Sequence, residues 1–322
     1  MMSIFTQRTN TSAGDPASTD PPTTATGLPS HVDRSVRGHG RGRGTRRIGA
    51  HVFLMILAIY FIVPIWWLVV AATKDTAGLF SSPAFWFADT FALFSNIAEL
   101  FTHQGGIYWR WLGNSFLYAF AGGIGATVLA VLAGYGFAKY DFRGRGAVFT
   151  MVLGSVMVPM TALVIPTFML LSQYGVINTP WAVILPSLLS PFGVYLMRVY
   201  TQDAVPDEML EAARIDGAGE IRTFFQVALP LLRPAIVTVL LLSVVGTWNN
   251  FFLPLAVLTD PQLLPVTVGL NRWTALSNAG AGGEQVWNLI TSGAFISVLP
   301  LVLSFLFLQR YWQGGLSVGS IK

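Results

Sequence analysis

Cysteine is absent from the 322 residues, which excludes disulfides, thiolate metal sites and cysteine nucleophiles together. Charge is nearly as scarce. Only 11% of residues are Asp, Glu, Lys or Arg, against roughly 25% in a soluble domain, and a water-soluble core of this length needs more charge than that to cover its surface. With 53% hydrophobic residues, the shortage points to a membrane. No GxxxxGK(S/T) phosphate loop occurs, which argues against ATP binding by the chain itself. The histidines, His31, His39, His51 and His103, show no metal spacing, and no Ser, His and Asp set lies in a plausible site, so no metal site and no catalytic residue are expected.

The charges that exist are clustered. Runs free of Asp, Glu, Lys and Arg cover 48–73, 111–138, 147–174, 180–197, 234–259 and 286–309. Each reaches or approaches the roughly 20 residues that cross a bilayer as helix. Barrel strands would alternate with period two, and these runs do not. The expectation is therefore an all-α membrane protein with six transmembrane helices. Of the 19 Lys and Arg, Lys74, Arg110 and Arg272 fall on one side of these spans and the others on the opposite side. By the positive-inside rule both termini, and the connections after the second and fourth runs, are cytoplasmic. Residues 1–47, rich in Ser, Thr, Pro and Gly and ending in a basic run, are expected to be a disordered cytoplasmic tail. The basic run needs no nucleic acid to explain it.

Residues 201–234 form the longest cytoplasmic connection, TQDAVPDEMLEAARIDGAGEIRTFFQVALPLLRP. Pro206 suits the first turn of a helix, Asp207 and Glu208 favour the positive end of its dipole, and Gly217 and Gly219 can end it. A second short helix is expected from Glu220 to Leu229, stopping before Pro230. Periodicity alone fits equally a helical hairpin lying on the membrane surface.

Residue identity shifts that balance. Glu211, Ala212 and Ala213, then Gly217, then Leu229 and Pro230 resemble the EAA loop of permease subunits in bacterial ABC importers. Val227 stands where that pattern usually has isoleucine. WLGNSFLYAF, AGYGFAKYDFRGRG, TWNNFFLPL and the ending QRYWQGGLSVGSIK resemble the maltose-type carbohydrate branch. The resemblance implies a binding-protein-dependent importer permease. Its implied partners are a second homologous permease, two ATP-binding subunits and an extracytoplasmic substrate-binding protein. ATP and Mg would sit on partner subunits, with no cofactor in this chain. It also implies that the loop holds a coupling helix seated on an ATP-binding subunit, with Glu211, Ala212, Ala213, Asp216 and Gly217 as contact residues. Small side chains allow close approach and the two acids can meet basic groups. The expected domains are 1–47 as tail, 48–310 as permease with the loop at 201–234, and 311–322 as a cytoplasmic C-terminal tail.

Trp248, Asn249 and Asn250 are expected inside the fifth helix, where amides are costly unless they face a partner or a watery path. Aromatic rings stack on sugar faces and amides bond hydroxyls, so the three are candidate pathway groups for a carbohydrate; interhelical bonding that only holds the bundle together is the competing reading. Gly122, Ala126, Ala130 and Gly134 make a small-residue stripe, read as packing. The resemblance gives the C-terminal segment, with Gly314, Gly315 and Ser317, a docking role between ATP-binding subunits; a frayed terminus is the alternative. A stand-alone secondary transporter or channel for a polar solute is the alternative function. Proton coupling would require intramembrane carboxylate or histidine, which the runs other than the first lack, that one holding His51.

Overall fold

The computed structural model describes residues 42–279 and 284–316. Residues 1–41 of the expected tail and Ser317 lie outside the described residues. The chain forms two compact units, residues 1–56 and 57–322. The first unit contributes the start of helix α1 (Gly42–Ala72), which carries Pro64 within it.

The regular secondary structure of the second unit is helical among its described residues. It holds α2 (Thr76–Ser81), α3 (Leu93–Thr102), α4 (Ile107–Lys139), α5 (Arg145–Val156), α6 (Val164–Gln173), α7 (Trp181–Ser187) and α8 (Pro191–Ala204). There follow α9 (Asp207–Ile215), α10 (Glu220–Thr223), α11 (Leu229–Leu231), α12 (Arg233–Trp248), α13 (Phe252–Val257), α14 (Val266–Ser277) and α15 (Trp287–Leu316). Among the described residues four stretches are long and apolar enough to cross a membrane: Ile48–Ala72, Ile107–Lys139, Trp181–Ala204 and Trp287–Phe307. The count rises to six if each of two bent pairs is one span.

Two of the apolar runs depart from the expectation of simple helices. The run at 147–174 is two helices turned 100° at a short break, and Pro159 stands in that break, where it supplies no backbone donor and steers Val158 away from helix. The run at 234–259 stops at Trp248 and resumes at Phe252. Asn249 and Asn250 therefore lie at a break and not inside a helix. Pro254 and Pro166, by contrast, sit in the first turns of α13 and α6, where a missing N–H costs nothing.

Helix α4 is the spine, packing along both α8 and α12. Lipid tails are as apolar as leucine, so close approach of backbones replaces the hydrophobic drive between such helices. The small-residue stripe supplies that approach, since Gly122, Ala126, Ala130 and Gly134 are all buried. A Cβ on Gly134 would stand 2.4 Å from Met197 Cβ and 2.9 Å from the Arg198 backbone nitrogen in α8, and one on Gly122 would stand 2.7 Å from Ser187 Cβ. Gly123, beside the stripe, meets Val244 of α12 at 2.5 Å in the same construction.

Two larger cores flank this contact. Toward the start of α4, Tyr108, Trp111 and Tyr118 pack with Trp273 and Leu289. Toward its end, Ala130, Val131 and Tyr135 pack with Met197, Val205, Leu210 and Phe224. The polar tips are satisfied in the first: Tyr108 donates to the Gly293 carbonyl at 2.7 Å and Trp111 Nε1 to that of Pro261 at 2.8 Å.

Candidate coupling site

Helix α9 begins after Pro206, which is its N-cap and not its first residue. Asp207 and Glu208 occupy its first turn and Arg214 its last, the arrangement that the helix dipole favours. Its end is a Schellman turn. The Ala218 N–H donates to the Ala213 carbonyl at 2.9 Å and the Gly217 N–H to that of Arg214 at 3.0 Å. Gly217 takes φ +83°, a left-handed conformation that costs other L-residues roughly 1–2 kcal/mol.

The second arm departs from the expected single helix. Helix α10 runs into a π-helical stretch, Phe224–Ala228, and then α11. Pro230 lies within α11 and does not stop the helix. The π stretch explains why. Proline offers no N–H to the carbonyl four residues back, and just before it the Leu229 N–H reaches back five residues to the Phe224 carbonyl. The 78° bend to α12 follows.

Of the expected contact residues, Glu211, Ala212, Asp216 and Gly217 are exposed and Ala213 is half-buried. Among the described residues nothing beyond its chain neighbours lies within 4 Å of a Cβ placed on Gly217. Sequence reasoning missed the apolar residues beside them. Ile215 is 86% exposed and Ile221 76%, and Phe225 is exposed next to Ile221 in an open cavity of about 580 Å³ lined also by Gly219, Glu220, Arg222 and Gln226. Leu210 and Phe224, on the inner side, are buried.

It also missed what ties the hairpin to the bundle. Lys139, the last residue of α4, donates to the Asp207 carboxylate at 2.7 Å and to the Val205 carbonyl. Its neighbour Tyr140 donates to the Glu220 carboxylate at 2.8 Å. Arg214 closes on that carboxylate with two bonds, at 2.7 and 3.2 Å. Partial burial and the bond to Glu220 push Tyr140 up to about 12, so its hydroxyl keeps its proton. The Arg214 bond first, and the Tyr140 bond second, hold the Glu220 carboxyl below the ordinary range. A depressed carboxylate pKa means that its links contribute above the unfolded value of about 4.3 and are lost only as pH falls through the lower folded one. The network is therefore intact at neutral pH.

The other candidates fare differently. Trp248 is 6% exposed and packs edge-on against Phe116 at 5.0 Å. Asn249 is exposed and Asn250 half-buried; neither side-chain amide has a partner among the described residues, while the Asn250 carbonyl accepts from Thr267 at 3.1 Å. Gly314 and Gly315 lie in the last turn of α15. Among the described residues no cluster of His, Asp and Glu could hold a metal ion.

Comparison with known proteins places the chain. The family described as binding-protein-dependent transport system inner membrane component matches residues 126–317. The arabinooligosaccharides transport system permease protein AraQ of Bacillus subtilis is 34% identical over 281 residues, which is 86% of this chain and 96% of that protein. The lactose transport system permease protein LacG of Rhizobium radiobacter is 31% identical over 273 residues, covering 84% and 94% respectively. In fold, a chain from the crystal structure of a bacterial ABC transporter involved in the import of the acidic polysaccharide alginate matches with a TM-score of 0.74 at 20% identity, covering 85% of this chain and 99% of that one. The bent and broken helices around α4 and the hairpin at their end thus belong to a member of the binding-protein-dependent transport system inner membrane component family.

Proposed function

We propose that the chain is one of two homologous permease subunits lining the path of an oligosaccharide through a bacterial cell membrane. It crosses the bilayer six times with both termini in the cytoplasm. An extracytoplasmic binding protein delivers the sugar, and two ATP-binding subunits hydrolyse ATP with Mg. This chain supplies no catalysis. The observation that carries the reading is the exposed hairpin of α9 and α10, where apolar Ile215, Ile221 and Phe225 stand uncovered beside Glu211, Ala212, Ala213, Asp216 and Gly217. Large apolar side chains standing together in the open are the mark of a partner surface. The ATP-binding subunit is the partner that fits, since this segment falls on the Arg-rich side of the membrane where ATP is found.

The sugar class rests on the relatives, which are named for arabinooligosaccharides and for lactose. Asn249 and Asn250, unpaired at a helix break, are the groups of this chain proposed to meet hydroxyls in the pathway. Gly314, Gly315 and Ser317 are proposed to approach the ATP-binding subunits at the end of α15.

The test is uptake by proteoliposomes holding this chain with the permease, ATP-binding and binding-protein subunits encoded in neighbouring reading frames. Uptake of arabinotriose or lactose that requires both ATP and the binding protein is the expected result. Uptake driven by an ion gradient in the chain alone would instead make it a secondary transporter and overturn the proposal.

A further inference from the structure

We infer that Lys139 and Tyr140 are positioning residues that fasten both arms of the hairpin to the end of α4, so that the hairpin moves with α4 as one body. The inference deepens the coupling reading and rests on it. It also gives a task to the segment AGYGFAKYDFRGRG, which the packing of the bundle leaves unexplained.

Helix α9 has nine residues and α10 four. Elements this short do not hold a direction by themselves, yet a rigid-body push needs them to. Lys139, the last residue of α4, and Tyr140, its C-cap, supply the restraint. The Lys139 side chain is 7% exposed, with its ammonium shared between the carbonyl that ends α8 and the carboxylate that begins α9. A lysine at the C-terminal end of a helix is also favoured by its dipole. Tyr140 holds the start of α10 through Glu220, and Arg214 ties Glu220 back to the end of α9. The two arms are thus bound to α4 and to each other. Tyr135, one turn earlier, packs its ring against both Tyr140 at 5.8 Å and Phe224 at 4.9 Å. Arg145, paired with Asp141 at 2.7 Å, donates to the Tyr140 carbonyl at 3.2 Å and fixes the turn that follows. Since α4 packs along α8 and α12, a rotation at its end reaches the hairpin and the bundle together.

Two measurements test this. In the complete transporter, arabinotriose uptake and ATP hydrolysis are followed in the same proteoliposomes for Lys139→Met and Tyr140→Phe, which keep most of the packing. Each is expected to lower uptake about three- to tenfold, the scale of one hydrogen bond, while hydrolysis falls less, so that ATP spent per sugar rises. Lys139→Arg restores the wild-type ratio, and Asp207→Asn adds little to Lys139→Met because both cut one contact. Uptake and hydrolysis falling in parallel would mean a merely structural role and overturn the inference. The fastening itself is read independently of transport by amide exchange over 207–223 in the full chain. Exchange about three- to tenfold faster in the Met and Phe variants, with the middle of α4 unchanged, is expected; unchanged exchange overturns the fastening. Wild-type vesicles without ATP-dependent uptake, beside accelerated exchange in the variants, would remove the coupling reading and leave the clamp.

Discussion

At the scale of single residues, Gly217 separates two effects that a substitution usually mixes. Its φ of +83° penalises most side chains, but among the described residues no atom stands in the way of a Cβ. Asparagine and aspartate tolerate the left-handed region better than other L-residues, so Gly217→Asn changes the hairpin's own stability little. Any large functional loss must then come from a surface outside the chain. Gly217→Asn and Gly217→Asp are both expected to insert at wild-type levels and to lower ATP-driven uptake by about tenfold or more, the effect of spoiling one central contact of an interface. Uptake and membrane yield of the two variants, measured side by side, check this. The charge of aspartate adds only a further decrement. Trp248, an aromatic beside two amides, is buried with Phe116 and Val244 against it.

At the scale of elements, α4 shows why glycines in a membrane helix are not interchangeable. Gly134 and Gly136 are two residues apart and look alike in sequence. A Cβ on Gly134 would meet the backbone of α8 at 2.9 Å, whereas one on Gly136 meets nothing outside its own helix within 4 Å among the described residues. Backbone cannot swing aside as a flexible side chain can. Gly134→Ala is expected to cost about 1–3 kcal/mol by forcing the helices apart, and Gly136→Ala to be neutral or stabilising by up to about 1 kcal/mol through helix propensity. Thermal unfolding of the purified chain in detergent distinguishes them. The stripe Gly122, Ala126, Ala130 and Gly134 was legible beforehand because spacing of four puts residues on one helix face. Its partners were not, since the nearest atoms belong to residues some 60 positions later in the chain.

For the whole molecule, the lack of cysteine is an experimental advantage. A single cysteine introduced at Asp216 or at Ser3 is expected to react with a membrane-impermeant maleimide only from the cytoplasmic side, and one at Asp89 or Gln104 only from outside. Labelling of intact cells against inside-out vesicles reads this directly. Reaction of residue 216 from outside would contradict the orientation drawn from the basic residues.

Sequence by itself determined the membrane solvent, the helical class, the sidedness expected of the loops and the place of the hairpin, because each is a local matter of composition, charge count or spacing. Its residue pattern also carried the family resemblance through Glu211, Ala212, Ala213 and Gly217. The tertiary structure alone decided which apolar runs break, which aromatic is enclosed, and what holds the hairpin in place. Asn249 moved from helix to break, and Tyr140 met Glu220 across 80 residues. Such contacts depend on where the packing of α4, α8 and α12 brings chain ends together, and no local pattern of residues encodes that distance.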